Sequence, residues 1–177
     1  MEMWIDIRIP YGPNHQLAKA YNKAMSESVS EWVILLDHDV YLALNPHWYE
    51  MCVNAAKTVS EDVGMITCVT YNRNGFDLVV DKTDDISIQQ QYAYQLFQKY
   101  GDELEEANTH KLAGFFMLVR KSTWENIKFE DQGKGVNKID HNWCKRVMDS
   151  GQKIMLMKGL YIFHKRGVRK LSWGRQI

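Results

Sequence analysis

Two carboxylates one residue apart are the first candidates for chemistry in this sequence. Asp37-His38-Asp39 follows directly after Trp32–Leu36, an uninterrupted apolar run. In open α/β sheets, ligands bind at the carboxyl ends of strands, and paired acids in a turn offer oxygen ligands to a hard divalent cation. The pattern therefore predicts a site for Mg²⁺ or Mn²⁺ that would hold a diphosphate. Aspartate is also frequent in turns because it hydrogen-bonds its own backbone, and that structural explanation stays open.

Two more polar residues stand at the ends of predicted elements much later in the chain. Asp140 lies where the last helix begins, and His164 ends the final apolar run and is followed by Lys165 and Arg166. Taken singly, each has a structural explanation. Aspartate is a good helix N-cap, and an isolated histidine at a strand end is more often a satisfied residue than a ligand. Their chemistry depends on whether the fold brings them to the acidic turn.

The elements that must position these residues are predicted from the spacing of apolar side chains. Ile5, Ile7 and Ile9 alternate with polar residues, as in a strand, and the residues from Leu17 to Met25 recur at helical spacing. The remaining predictions are strands at 32–36, 63–69, 111–119, 154–157 and 160–163, helices at 48–59, 88–100 and 143–148, the last ended by Gly151, and a short helix from the capping-box pair Ser122 and Glu125. Alternating strands and helices predict an α/β fold, with a mostly parallel sheet flanked by helices in a single compact domain.

Composition narrows the classes of function. The 22 basic and 22 acidic residues balance to a net charge of zero, which disfavours a nucleic-acid binder. The charges are nevertheless uneven: residues 77–106 carry eight acids and two bases, and residues 158–177 carry six bases and no acid, a segment that would attract phosphate. Three widely spaced cysteines predict buried free thiols and a reducing, cytoplasmic location. No apolar run reaches eighteen residues, so no membrane span is expected.

In order along the chain, these motifs resemble those of the family 2 glycosyltransferases, which have the GT-A fold. The resemblance is carried by the asparagine-led helix at 14–22, the strand and aspartate-any-aspartate motif at 32–39, an acceptor-side strand at 114–120, the acid-bearing helix start at 139–143, and the glycine, strand and terminal histidine at 151–164. It implies a donor and metal half at 1–70, an acceptor half at 71–167 and a basic tail at 168–177.

The resemblance also implies residue roles. Asp39 and His164 would ligate Mn²⁺ or Mg²⁺, with Asp37 contacting the metal through water or the donor ribose. Asp140 would be the general base that deprotonates an acceptor hydroxyl in a single displacement with inversion. The implied contacts to a nucleotide-diphosphate sugar are Pro10, Tyr11, Asn14, Lys19, Asp37, His38, Lys165 and Arg166, with Arg169 closing over the diphosphate. The implied acceptor contacts are Gly114 and Trp143.

Two alternatives remain open at the level of sequence. An apolar strand followed by Asp37-x-Asp39-Val40 also matches the opening motif of the haloacid-dehalogenase-like phosphohydrolases. An inactive saccharide- or partner-binding module of the same fold is the other, because only 36 residues precede Asp37 and the donor half is compressed. A compressed donor half is also compatible with a homo-oligomer, in which a second copy would supply part of the binding surface. Sugar stacking in such a module would fall to the tryptophans Trp4, Trp48, Trp124, Trp143 and Trp173.

Overall fold

A computed structural model describes residues 4–12, 16–70, 83–131 and 139–165. The strands are β1 (Asp6–Arg8), β2 (Trp32–Leu36), β3 (Val40–Tyr41), β4 (Val63–Val69), β5 (Leu104–Glu106), β6 (Phe116–Arg120), β7 (Lys153–Tyr161) and β8 (Phe163–His164). The helices are α1 (Leu17–Glu27), α2 (Trp48–Thr58), α3 (Ile86–Tyr100), α4 (Lys121–Asn126) and α5 (Ile139–Asp149). Within these described ranges, no helix combines the length and apolar character needed to cross a membrane.

Six of the strands form one sheet in the order β1-β2-β6-β4-β7-β5, and β3 pairs with β8 in a separate two-stranded ladder. β1 runs parallel to β2, and β4 runs parallel to β7. β6 is antiparallel to both of its neighbours, and β5 is antiparallel to β7. Four strands therefore point in one direction. The expected α/β sheet flanked by helices is confirmed, with an antiparallel strand at its centre that apolar spacing did not predict.

The inner strands of the sheet are buried because they are apolar on both faces. All five residues of β2 are buried, and successive side chains of a strand point to opposite faces. Ile34 therefore packs in a cluster with Met51 and Cys52 of α2 on one face. Val33 packs with Met25 of α1 and Trp143 of α5 on the other. The helical spacing of apolar residues in the sequence thus correctly identified the faces of the helices that cover the sheet.

Several boundaries differ from those predicted. The strand expected at 111–119 begins only at Phe116. Strand β7 joins the predicted strand at 154–157 to residues 160 and 161 of the next one, whereas Phe163 belongs to β8. The capping-box prediction is wrong: α4 begins at Lys121, so Ser122 lies inside it, and the N-cap residue Arg120 makes no side-chain capping bond. Gly151 has a φ of +83°, which confirms the predicted left-handed turn after α5.

The three cysteines are free and buried, as predicted. Burial raises the pKa of the Cys52 thiol to about 12. It also raises the pKa values of Cys68 and Cys144 above the ordinary thiol value. Because the thiolate is the reactive form of cysteine, all three side chains are protonated and shielded in the folded protein.

We expect no thiol of the folded protein to react with Ellman's reagent at about pH 8, near the pKa of a free cysteine. All three should react after unfolding in guanidinium chloride, because unfolding exposes them and restores the ordinary pKa. The absorbance of the released thionitrobenzoate gives the number of reactive thiols in the folded protein and in the unfolded protein. A thiol that reacts in buffer as fast as free cysteine would contradict the buried positions.

Candidate functional site

The two acidic residues of the turn are fixed by the sheet that precedes them. Asp37 follows the last residue of β2, and its backbone N–H donates to the carbonyl of Phe115 at 3.0 Å. That bond extends the antiparallel β2–β6 ladder by one pair into the turn. The Asp37 side chain is 22% exposed and that of Asp39 is 6% exposed. The turn therefore presents one partly open and one nearly buried carboxylate at the carboxyl end of β2.

His164 reaches this turn through the two-stranded ladder. β3 begins immediately after the turn, and Val40 pairs with His164 in the antiparallel register. The backbone N–H of Lys165 donates to the carbonyl of Asp39 at 2.8 Å, which continues the ladder to the turn itself. An imidazole 125 residues further along the chain is thereby held beside the Asp39 carboxylate.

The three side chains form a compact set of ligand atoms. His164 Nε2 lies 2.9 Å from Asp39 Oδ1 and 3.5 Å from Asp37 Oδ2. One ligand atom from each residue lies within 4.8 Å of the others. The His164 ring stacks on Phe115, with 5.7 Å between the ring centres and 20° between the planes. Because the ring is 8% exposed and flanked in this way, its Nε2 stays directed at the two carboxylates.

This donor set suits a divalent cation. Carboxylate oxygens are preferred by Mg²⁺ and Mn²⁺, and a neutral imidazole is a common metal ligand. His164 Nδ1 is buried and has no hydrogen-bond partner in the described structure. The polar contacts of the ring are thus made by Nε2, the atom that faces the carboxylates. The cluster Asp37, Asp39 and His164 therefore fits a bound Mn²⁺ or Mg²⁺ chemically.

Asp140 is attached to the same framework through a glycine. Its Oδ2 accepts from the backbone N–H of Gly114 at 2.7 Å, and its Oδ1 accepts from the N–H of His141 at 2.9 Å. A Cβ on Gly114 would lie 2.9 Å from the Asp140 Cβ, so the close approach requires glycine. The next residue is Phe115, whose carbonyl and ring contact Asp37 and His164. Two successive residues therefore touch both the ligand cluster and the Asp140 carboxylate.

The remaining predicted site residues are more dispersed. Tyr11, Lys19 and His38 are exposed, Pro10 and Lys165 are half-buried, and Asn14, Arg166 and Arg169 lie outside the described residues. Trp143 is fully buried. Its Nε1 donates to the Ile127 carbonyl at 2.6 Å, and its ring stacks on Phe129 at 4.7 Å between centres. Because neither face of this ring is open, we do not propose Trp143 as a contact of the acceptor.

The tryptophans do not form a sugar-stacking surface in the described structure. Trp124 is buried like Trp143, Trp48 is half-buried, Trp4 is 62% exposed, and Trp173 lies outside the described residues. Phe115 is the site residue that sequence reasoning missed. Its place directly before a buried strand was visible in the sequence, but its contacts depend on which strand lies beside it.

Comparison with known proteins settles the family. The sequence model of Glycosyl transferase family 2 matches residues 2–127, which is more than half of the chain. The chain belongs to glycosyltransferase family 2. Membership replaces the phosphohydrolase alternative, and the matched residues include the Asp37–Asp39 turn. Asp140 and His164 lie beyond the matched residues, so the structure alone connects them to the turn.

Solved structures agree on the fold. The structure of S. aureus TarS, residues 1–349, superposes with a TM-score of 0.51 at 14% sequence identity and covers 84% of this chain. The fold of this family 2 member is thus the GT-A fold. The chain spans only 40% of the length of that TarS structure. No curated protein matches the sequence.

The ladder that holds His164 can be tested by removing one backbone donor. Lys165→Pro deletes the N–H that bonds Asp39, and its ring still permits the extended backbone that His164 has in β8. We expect the free energy of unfolding to fall by about 1–2 kcal/mol, measured by urea denaturation. Lys165→Ala, which keeps the N–H, should change it by less than about 0.5 kcal/mol. Equal stabilities of the two variants would mean that this bond does not form.

Proposed function

We propose that this glycosyltransferase is metal-dependent and moves a sugar from a nucleotide-diphosphate sugar to an acceptor hydroxyl with inversion. The proposal is carried by one observation: the compact Asp37, Asp39 and His164 cluster shares the Gly114–Phe115 segment with the Asp140 carboxylate. Family membership supports the reaction class in general. The proposals of metal dependence and of inversion are argued from the chemistry of these four side chains.

The ligand cluster would hold Mn²⁺ or Mg²⁺ through Asp39 and His164, with Asp37 completing the set or contacting the donor ribose. A divalent ion bound there would neutralise charge on a departing diphosphate. His38 in the turn, Lys19 on α1 and Lys165 after β8 supply groups for the nucleotide and its phosphates. Pro10 and Tyr11 after β1 would contact the donor, as would Asn14 and Arg166.

Asp140 would accept the proton of the acceptor hydroxyl. Its carboxylate is held by the Gly114 N–H, so the group is oriented before an acceptor binds. Gly114 would contact the acceptor because its backbone lies directly against that carboxylate. If Asp140 acts as the base on the side opposite the leaving group, the acceptor would displace the diphosphate directly at the anomeric carbon, and direct displacement inverts its configuration.

The metal site is tested by titrating Mn²⁺ into the protein in a calorimeter. Asp39→Asn and His164→Ala each remove one ligand, and we expect each to weaken Mn²⁺ binding by more than about tenfold, since even outer partners of metal ligands contribute tenfold or more. Asp62→Asn is the control, because that exposed carboxylate pairs with Lys153 away from the cluster. Circular dichroism confirms that the variants fold. Unchanged affinity in both folded ligand variants would refute the assignment.

The base is tested with a panel of nucleotide-diphosphate sugars, by measuring release of the nucleoside diphosphate with Mn²⁺ and candidate acceptors. Asp140→Asn should slow transfer by about 10²–10⁴-fold, the usual contribution of a general base. It should leave the thermal shift caused by nucleoside diphosphate and Mn²⁺ unchanged, because ligand binding stabilises the folded state independently of the proton transfer.

The matched control for the base is Asp149→Asn, which neutralises another carboxylate of α5 that pairs with the exposed Lys145. This variant should transfer sugar at the rate of the unaltered protein. Full activity of Asp140→Asn would show that the base is another group. Loss of the thermal shift in Asp140→Asn would show that Asp140 acts in donor binding instead.

A further inference from the structure

The two edges of the six-stranded sheet differ in character. At the β5 edge, Lys158 pairs with Glu105 and Lys153 approaches Glu106, and such charges discourage pairing with another strand. At the β1 edge the exposed side chains are apolar. Four of the eight large apolar side chains exposed in the described part of the chain lie within residues 4–11, namely Trp4, Ile7, Ile9 and Tyr11. The β1 edge therefore exposes apolar side chains beside its one ion pair, Asp6 and Arg8.

The backbone of β1 leaves hydrogen-bonding groups directed outward at this edge. Asp37 bonds Phe115 and Glu31 bonds Lys121, so the odd-numbered residues along β2 face β6. The even-numbered residues of β2 face β1, because successive residues alternate sides. With Ile7 in register with Ile34, the β1 residues that bond β2 are Asp6 and Arg8. The N–H and C=O of Ile7 consequently point away from the sheet.

One end of this edge is already closed. The Ile5 N–H donates to the Tyr49 hydroxyl at 3.1 Å, and that hydroxyl lies 3.4 Å from the Ile5 carbonyl. The open part of the edge is therefore the short stretch centred on Ile7. In an antiparallel pair, a residue that exchanges both of its backbone bonds with its own counterpart lies on a two-fold axis. Ile7 has the backbone orientation required for that position.

The charges on β1 are self-complementary about the same residue. Asp6 and Arg8 flank Ile7 on one face of the strand, where Arg8 Nη2 lies 2.7 Å from Asp6 Oδ2. In an antiparallel pairing centred on Ile7, Asp6 of each copy lies opposite Arg8 of the other copy. The pairing therefore contains two facing pairs of opposite charge. Opposite charges at directly facing positions stabilise a strand pair, whereas like charges destabilise it.

We propose that β1 pairs antiparallel with β1 of a second copy of this chain, centred on Ile7. The pairing joins the two sheets into one and satisfies the outward N–H and C=O of Ile7. It brings the exposed Ile7 against its counterpart in the other copy. This symmetric dimer covers the apolar edge. It is independent of the function proposed for the Asp37, Asp39 and His164 cluster and for Asp140.

The test is the molar mass of the full chain in solution, measured by sedimentation over a micromolar concentration range. The unaltered protein should dimerise. Asp6→Arg places two bases on β1 and Arg8→Asp places two acids there, so each variant alone should lose the dimer by like-charge repulsion. Mixed in equal amounts, the two variants should form a heterodimer, since each base then faces an acid. Glu27→Arg, which breaks the exposed Lys23 pair on α1, is the control and should remain dimeric.

The mixing step separates the proposal from its competitors. A monomeric wild-type protein at all concentrations would overturn the dimer, and persistent dimers of both single variants would place the interface elsewhere. Two monomeric variants that fail to associate on mixing, although circular dichroism shows them folded, would refute this register. Neither the metal titration nor the transfer assay depends on these outcomes, so failure here is distinguishable from failure of the proposed function.

Discussion

The site depends on a short antiparallel ladder that brings the end of the described chain back onto the acidic turn. β3 and β8 contribute two residues each, and the Lys165 N–H extends their pairing to the Asp39 carbonyl. Without that pairing, the two carboxylates of the turn would lack the His164 imidazole beside them. Backbone bonds bring His164 to the turn and stacking on Phe115 orients its ring, so a strand of two residues is sufficient to complete the cluster.

The second constraint is the position of the antiparallel strand β6 between β2 and β4. Because β6 runs opposite to β2, the residues that precede it arrive at the carboxyl end of β2, where the acidic turn lies. Gly114 and Phe115 are the two residues that directly precede β6. One backbone segment thereby carries the amide that holds Asp140 and the ring that flanks His164. The antiparallel orientation is what unites the ligand cluster with the carboxylate.

The β1 edge of the sheet carries exposed apolar side chains. Among the described residues, β1 is the strand at this edge beside β2, and Ile7 in it and Ile9 after it are exposed. Charged side chains protect the opposite edge, so the asymmetry is a property of this sequence and not of short sheets in general. The same strand leads directly into Pro10 and Tyr11, which we propose as donor contacts.

Local patterns in the sequence determined the residue types of the site and most of the elements. The apolar run before Asp37, the helical spacing in α2 and α5, and Gly151 after α5 depend on neighbours in the chain, and the structure has all of them. Only the tertiary structure decided the direction of β6, the departure of β8 from the sheet and the burial of Trp143. These features arise from pairing and packing between segments far apart in the chain, about which the spacing of residues within one segment carries no information.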